Sequence, residues 1–229
     1  MKTAIVTGAS GNLGQAIVNK FIAEGYKVIG TVVPNDLVPI NFPAESFEKV
    51  VVDLMNEDDT QKFINAVIAA YSTIDAVVLT VGGFAMGSIA DTTSSDIMKQ
   101  YKLNFETTFN VARPAFVQMM KQNSGRIFMI GARPGLQASF SNGMVAYGLA
   151  KSLVVRLSEL MNIEAKGKNV VASIVVPSTI DTPQNRESMP KADFDSWVDP
   201  QAIASIIYFH CTEEASALRE TVIKAYNNS

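Results

Sequence analysis

Apolar residues along this chain alternate between two rhythms. Short, almost wholly apolar runs of strand length cover Ala4 to Thr7, Lys27 to Val33, Val50 to Asp53, Ala76 to Thr80, Arg126 to Ile130 and Val170 to Val176. Between them lie stretches with apolar positions at helical spacing: Leu13 to Ala23, Asp58 to Ala70, Ser94 to about Lys121, and Val145 to Lys166. Runs such as Ile174-Val175-Val176 have no polar face, which suits a parallel sheet covered by helices on both sides. The pattern predicts an α/β fold with a doubly wound, mostly parallel sheet.

Two regions break the rhythm. Pro34, Pro39 and Pro43 make a helical crossover between Val33 and Glu45 improbable, so an irregular connection is expected there. Residues 178–199 are too long and too polar for a plain turn, and loops of that kind in compact domains are often binding lids. A helix from Pro200 to His210 and a last strand near Glu220 to Ala225 complete a sheet of about seven strands. Gly125 and Gly167 are read as helix ends, where the backbone turns left-handed. Without a repeat or linker, residues 1–229 are expected to form a single Rossmann-like domain.

Composition narrows the function. Hydrophobic residues make up 48% and charged residues 18% of the chain, which is ample for a core. No segment reaches the ~18 uninterrupted apolar residues of a membrane span. The chain enters a strand pattern almost at once, with no apolar leader, so a cytoplasmic location and no membrane partner are expected. A net charge of −3 and no sequence-local Lys/Arg cluster argue against nucleic acid. One cysteine, Cys211, and one histidine, His210, exclude an internal disulfide and leave no ordinary zinc site, so no metal is expected. His210 falls in a late helical run and is read as structural.

Candidate chemistry sits in two separated segments. Thr7-Gly8-Ala9-Ser10-Gly11-Asn12-Leu13-Gly14 follows the first strand and opens the first helix. Glycines there let the backbone approach a pyrophosphate, and the helix N-terminus offers free N–H groups. The second strand ends at Val32-Val33 without the acidic residue that accepts a ribose 2′-hydroxyl, and no Arg or Lys is placed for a 2′-phosphate. NAD(H) and NADP(H) therefore both stay open, with a lean to NADH. Asp36 lies near, but beyond Pro34.

Tyr147 and Lys151 stand at i and i+4 in Ala146-Tyr147-Gly148-Leu149-Ala150-Lys151, on one helix face. At an effective dielectric of about 20, an ammonium ~4–5 Å from the phenol is worth roughly 3–4 kcal/mol, so the expected Tyr147 pKa lies well below the usual value near 10. Upstream, at the end of the fifth strand, Gly131-Ala132-Arg133-Pro134 has no serine.

Taken together, these residues resemble the short-chain dehydrogenase/reductase family over essentially the whole chain. The resemblance implies Tyr147 as proton donor, Lys151 as its modulator and as a holder of the nicotinamide ribose, and Asn104 as support for a proton-relay water. It implies cofactor contacts at Gly8, Ser10, Gly11, Asn12, Leu13, Gly14, Asp53, Leu54, Gly82, Pro177, Ile180 and Thr182. Within the family, the segment Asp181 to Trp197, with Val81-Gly82-Gly83-Phe84 and Gly131-Ala132-Arg133, is similar to the dihydropteridine reductase group, which also lacks the serine. Phe84, Ala132, Arg133, Asn185, Met189 and Trp197 are then candidates for the substrate face, beneath a lid at 178–199. The implied reaction is hydride transfer from NAD(P)H to a quinonoid dihydropteridine-like small molecule. Two alternatives stand beside it: a carbonyl reductase of another substrate class, and a nucleotide-sensing regulator without catalysis. A homodimer is implied through the two long helices, although Leu153, Val154 and Leu157 could equally serve as core.

Overall fold

The computed structural model describes residues 1–219 and 222–228. Seven strands form one sheet in the order β3-β2-β1-β4-β5-β6-β7: β1 Thr3–Thr7, β2 Lys27–Val32, β3 Phe47–Val51, β4 Ala76–Leu79, β5 Ser124–Ile130, β6 Asn169–Pro177 and β7 Val222–Ala225. Every neighbouring pair is parallel. The reversal between β1 and β4 places the crevice of a doubly wound sheet at the carboxyl ends of those two strands. The helices are α1 Asn12–Ala23, α2 Glu57–Tyr71, α3 Ser94–Gln100, α4 Thr107–Gln122, α5 Arg133–Leu136, α6 Val145–Glu164, α7 Pro183–Ser188 and α8 Pro200–Phe209.

The inner strands are apolar on both faces because both are covered, whereas β3 at the sheet edge exposes Glu48 and Lys49. Ile5, Ile29, Val77, Ile127, Met129 and Ile174 pack with Phe63, Val111, Val154 and Leu157 beneath α2, α4 and α6. Their alternating neighbours Val6, Val28, Val78, Phe128 and Val175 pack with Ile17, Phe21, Ile203 and Ile207 beneath α1 and α8. The period-2 alternation of a strand thus feeds two cores rather than one core and solvent.

Several expectations are sharpened. The helical stretch from Ser94 is continuous but changes winding: α3 passes into a π-helical turn, Tyr101–Glu106, and then into α4. The chain between β2 and β3 is irregular, as the prolines require. Gly125 is no helix end; it lies inside β5, and Asn123, at φ 58°, ends α4 in the left-handed region. Asn is the side chain other than Gly that best tolerates this conformation, which is why the glycine signal misplaced the boundary. Gly167, at φ 83°, behaves as expected. The predicted start of the last strand, Glu220, lies outside the described residues. His210 follows the end of α8, with Nδ1 2.8 Å from the Ile206 carbonyl oxygen. No helix among the described residues is long and apolar enough to cross a membrane.

Candidate active site

The carboxyl ends of β1, β4, β5 and β6 bring together segments far apart in sequence. At β1 the chain turns through Gly8, whose φ of 62° L side chains rarely adopt. Thr80 Oγ1 donates to the Thr7 carbonyl oxygen at 2.7 Å, locking the turn to the end of β4. Gly11 caps α1, with its N–H donating to the Gly8 carbonyl oxygen at 3.0 Å. No side chain bonds the first N–H groups of α1, and its first turn, with Asn12 and Leu13, carries no acidic residue. The contrast with α2, capped by Asn56, and α8, capped by Asp199, is chemical: α1 leaves its donors and its positive dipole end to an anion. Gly14 makes the turn possible, since a Cβ there would lie 2.1 Å from the Gly8 carbonyl oxygen.

Ser10 and Asp36 form a contact absent from the sequence reading. Ser10 Oγ donates to Asp36, and the Val38 N–H donates to the same carboxylate at 2.9 Å. The Ser10 bond holds the Asp36 carboxyl below its usual range. The proline-rich connection thus folds an acidic group back against the glycine turn. Asp53 is exposed and accepts from the Met55 N–H at 3.0 Å, while Leu54 is buried and its carbonyl accepts from Asn110 at 2.9 Å.

Around Tyr147 the packing is tight. Lys151 is buried on α6 and donates to the Ile130 carbonyl oxygen at 2.8 Å. Its Nζ lies 5.9 Å from the centre of the Tyr147 ring. Phe84 covers that ring edge-on, with centroids 5.2 Å apart, although Phe84 itself is 61% exposed. Gly82 separates Asn104 from Lys151: a Cβ there would stand 2.6 Å from Asn104 Oδ1 and 3.2 Å from Lys151 Nζ. Asn104 is wholly buried; its Nδ2 donates to the Gly83 carbonyl oxygen at 3.0 Å, and its Oδ1 accepts from the Gly83 N–H at 3.1 Å.

The expected lowering of the Tyr147 pKa is overturned. Burial pushes Tyr147 up to about 12 and pulls Lys151 down to about 8. Both groups lose water, and the ammonium is bonded to a strand carbonyl rather than to the phenol, so desolvation outweighs their attraction. A phenol held that high is protonated at neutral pH, and it is a weaker acid than a solvated tyrosine, so its proton leaves only as charge builds on an acceptor.

Ala132 is buried and caps α5 without a side-chain bond. The structure places Arg133 elsewhere: its guanidinium stacks on Tyr226 at 4.0 Å and faces Phe140 at 5.7 Å. Beyond Pro177, which ends β6, the segment is internally braced. Ile180 pairs with Val198 in a bridge, and its carbonyl accepts from Asn185 Nδ2 at 2.8 Å. Thr182 caps α7, its Oγ1 accepting from the Asn185 N–H. Arg186 clasps Asp181 at 2.6 and 2.7 Å and stacks on Phe194. Trp197 is buried against Phe194, with its carbonyl accepting from Asn227, whereas Met189 is 41% exposed. Asn185 and Trp197 therefore hold the segment together, while Phe84 and Met189 present apolar surface.

Comparison with known proteins bears out the resemblance at the level of the family; the relatives given below are ketoacyl reductases by name, not dihydropteridine reductases. The model of the short chain dehydrogenase family matches residues 2–193. Acetoacetyl-CoA reductase of Acinetobacter sp. is 29% identical over 189 residues, spanning 80% of this chain and 75% of that protein. The 3-oxoacyl-[acyl-carrier-protein] reductase FabG of Thermotoga maritima is 24% identical over 235 residues, spanning 97% of this chain and 95% of that one. The solved structure of ElxO with NADP bound shares the fold, with a TM-score of 0.87 at 21% identity, covering 99% of this chain and 97% of that one.

Proposed function

The chain belongs to the short chain dehydrogenase family, a class of oxidoreductases, and from that premise we propose that it delivers a hydride from NADH to a quinonoid dihydropteridine-like acceptor, with Tyr147 as proton donor assisted by Lys151. A bound nicotinamide dinucleotide supplies the hydride. The chain supplies the rest. Gly8, Gly11 and the first turn of α1 receive the pyrophosphate; Asp53 and Leu54 flank the adenine; Gly82, Pro177, Ile180 and Thr182 border the nicotinamide; and Lys151 holds its ribose. The fit rests on the uncapped, acid-free start of α1 and on a turn that a Cβ at Gly14 would fill.

The observation that carries the acceptor is Ala132. A serine hydroxyl in that place polarises a ketone oxygen, and here a methyl group stands instead; the hydroxyl of Ser141 donates to the Pro134 carbonyl oxygen at 2.8 Å. An acceptor that is already an electron-poor conjugated ring needs no such polarisation. Phe84, edge-on to Tyr147, and Met189 on the 178–199 lid offer apolar walls to a planar ring. Asn185 and Trp197 brace the lid segment that carries Met189. The second reading, a carbonyl reductase, is favoured by the near full-length likeness to a 3-oxoacyl reductase.

NADH is favoured by Asp36. Its carboxylate, held on Ser10 beside the glycine turn, repels a 2′-phosphate and can accept from a 2′-hydroxyl. One acceptor panel tests both assignments: quinonoid dihydropterin and 3-ketoacyl substrates, each with NADH and NADPH. The pterin is expected to turn over faster and NADH to be preferred, and Asp36→Asn is expected to shift the cofactor ratio toward NADPH on the order of fivefold, the scale of an exposed charge contact. Faster turnover of the ketoacyl substrate would favour the second reading, and an unchanged ratio would remove Asp36 from cofactor choice.

A cytoplasmic homodimer completes the proposal. On α6, Val154 and Leu157 belong to the core, whereas Leu149, Leu153, Leu160 and Ile163 are exposed. These form an apolar stripe of the kind that pairs across a two-fold axis. Sedimentation is expected to give a species of twice the chain mass; a monomer at micromolar concentration is the contrary result.

A further inference from the structure

Gln100 ends α3 and is its only buried residue. Its side-chain oxygen accepts from Asn104 Nδ2 at 2.9 Å, and its carbonyl oxygen lies 3.3 Å from the same nitrogen. The π-helical turn that follows carries Asn104 to the end of β4, where its amide pairs with both backbone groups of Gly83. A side-chain amide can be placed either way round, and its partners decide which end is nitrogen. Reversed, Asn104 Oδ1 would confront the Gly83 carbonyl and the Gln100 oxygen, and Nδ2 would confront the Gly83 N–H.

The orientation matters because Asn104 Oδ1 and Lys151 Nζ flank the same point above Gly82. In the observed sense a carbonyl dipole faces the ammonium; in the reversed sense an NH₂ group would. We propose that Gln100 is a positioning residue: its side-chain oxygen reinforces the polarity that the Gly83 backbone groups give the Asn104 amide, and tightens the placement of Oδ1 rather than Nδ2 toward Lys151 across Gly82.

The surroundings of Lys151 make it a sensitive reporter. Its own helix offers Tyr147, β5 offers the Ile130 carbonyl, and α5 packs its Gly135 backbone against the Lys151 backbone. α3 and the π-helical turn offer only the Gln100 and Asn104 amides from their buried positions. Burial alone moves the Lys151 pKa, down to about 8, with no carboxylate or second cation among the causes. A local dipole is therefore felt without competition from full charges.

The relevance to catalysis rests on the Tyr147/Lys151 reading above, but the test does not. In protein labelled with ¹³C at lysine Cε, the Lys151 resonance is identified by its loss in Lys151→Met and titrated with pH in the absence of any acceptor. Gln100→Met, close in shape but without the acceptor oxygen, is expected to lower the Lys151 midpoint by about half a pH unit or more. Gln100→Glu, which keeps an acceptor, is expected to hold or raise it. A Gln100→Met midpoint equal to that of the parent protein overturns the proposal. If Gln100→Met does not fold, a Gln100→Glu midpoint below the parent overturns it. A shifted midpoint with a silent acceptor panel would leave the proposal standing while removing the substrate assignment.

Discussion

Replacing Tyr147 by phenylalanine is expected to lower turnover by about 10²-fold or more, the scale of a positioned general acid. The change removes one oxygen and keeps the ring, so the edge-on contact with Phe84 and the neighbouring Lys151 stay in place. Cofactor affinity is therefore expected to change little, and the loss should fall on kcat. The pH dependence separates the two partners. With Tyr147 pushed up to about 12, the phenol keeps its proton across the neutral range. Lys151, pulled down to about 8, loses its charge first. Turnover of the parent protein is then expected to be level below that point and to fall as pH rises through about 8. Unchanged kcat in Tyr147→Phe would take the phenol out of the mechanism.

The second large effect lies at the other end of the cofactor site. In Gly14→Ala the new Cβ would stand 2.1 Å from the Gly8 carbonyl oxygen and 2.9 Å from its carbonyl carbon. Both are backbone atoms, so no rotamer change relieves the overlap; the turn itself must move. Overpacking of this sort costs about 1–3 kcal/mol in stability. Displacing a positioning turn by about 1 Å costs on the order of 10²-fold in function. The expected outcome is a folded protein with a lowered Tm and NADH affinity reduced by about that factor, read by titration. Retained NADH affinity would show that the glycine turn does not hold the pyrophosphate.

The sequence was most legible where function and local structure are written in the same few residues. The glycine turn from Thr7 to Gly14 carries its own strand, its own helix and the backbone freedom between them. The Tyr147/Lys151 pair is legible for the same reason, because helical spacing places both on one face. The alternation of apolar runs yields the doubly wound parallel sheet, since a strand covered on both faces has no polar side to display. Boundaries were weaker. Gly125 drew attention away from Asn123, because one left-handed residue looks much like another to a rule built on glycine.

What sequence spacing cannot supply is the environment of a charge. The Tyr147/Lys151 spacing suggests a phenol of lowered pKa, and the fold delivers the opposite, because packing strips the phenol of water while the ammonium is bonded to the Ile130 carbonyl of β5. Asp36 looks misplaced behind Pro34, yet the irregular connection returns it to Ser10. Gln100 has no motif at all; it acquires a role only because a π-helical turn carries Asn104 toward Gly83. Similarly, cations scattered at Arg156, Lys166, Lys168 and Arg219 line one cavity at the opposite end of the sheet, where the linear sequence displays no cluster.

By itself, then, the sequence determined the α/β winding, the nucleotide-type turn, the Tyr147/Lys151 pair and the missing serine at Ala132. These depend on short-range periodicity and on residue identity, which a linear chain carries in full. The tertiary structure alone decided the burial of Tyr147 and Lys151, the partner of Lys151, the reach of Asp36 and the polarity of the Asn104 amide. Each of those depends on desolvation and on hydrogen bonds between segments distant in sequence, and such contacts exist only once the chain has closed on itself.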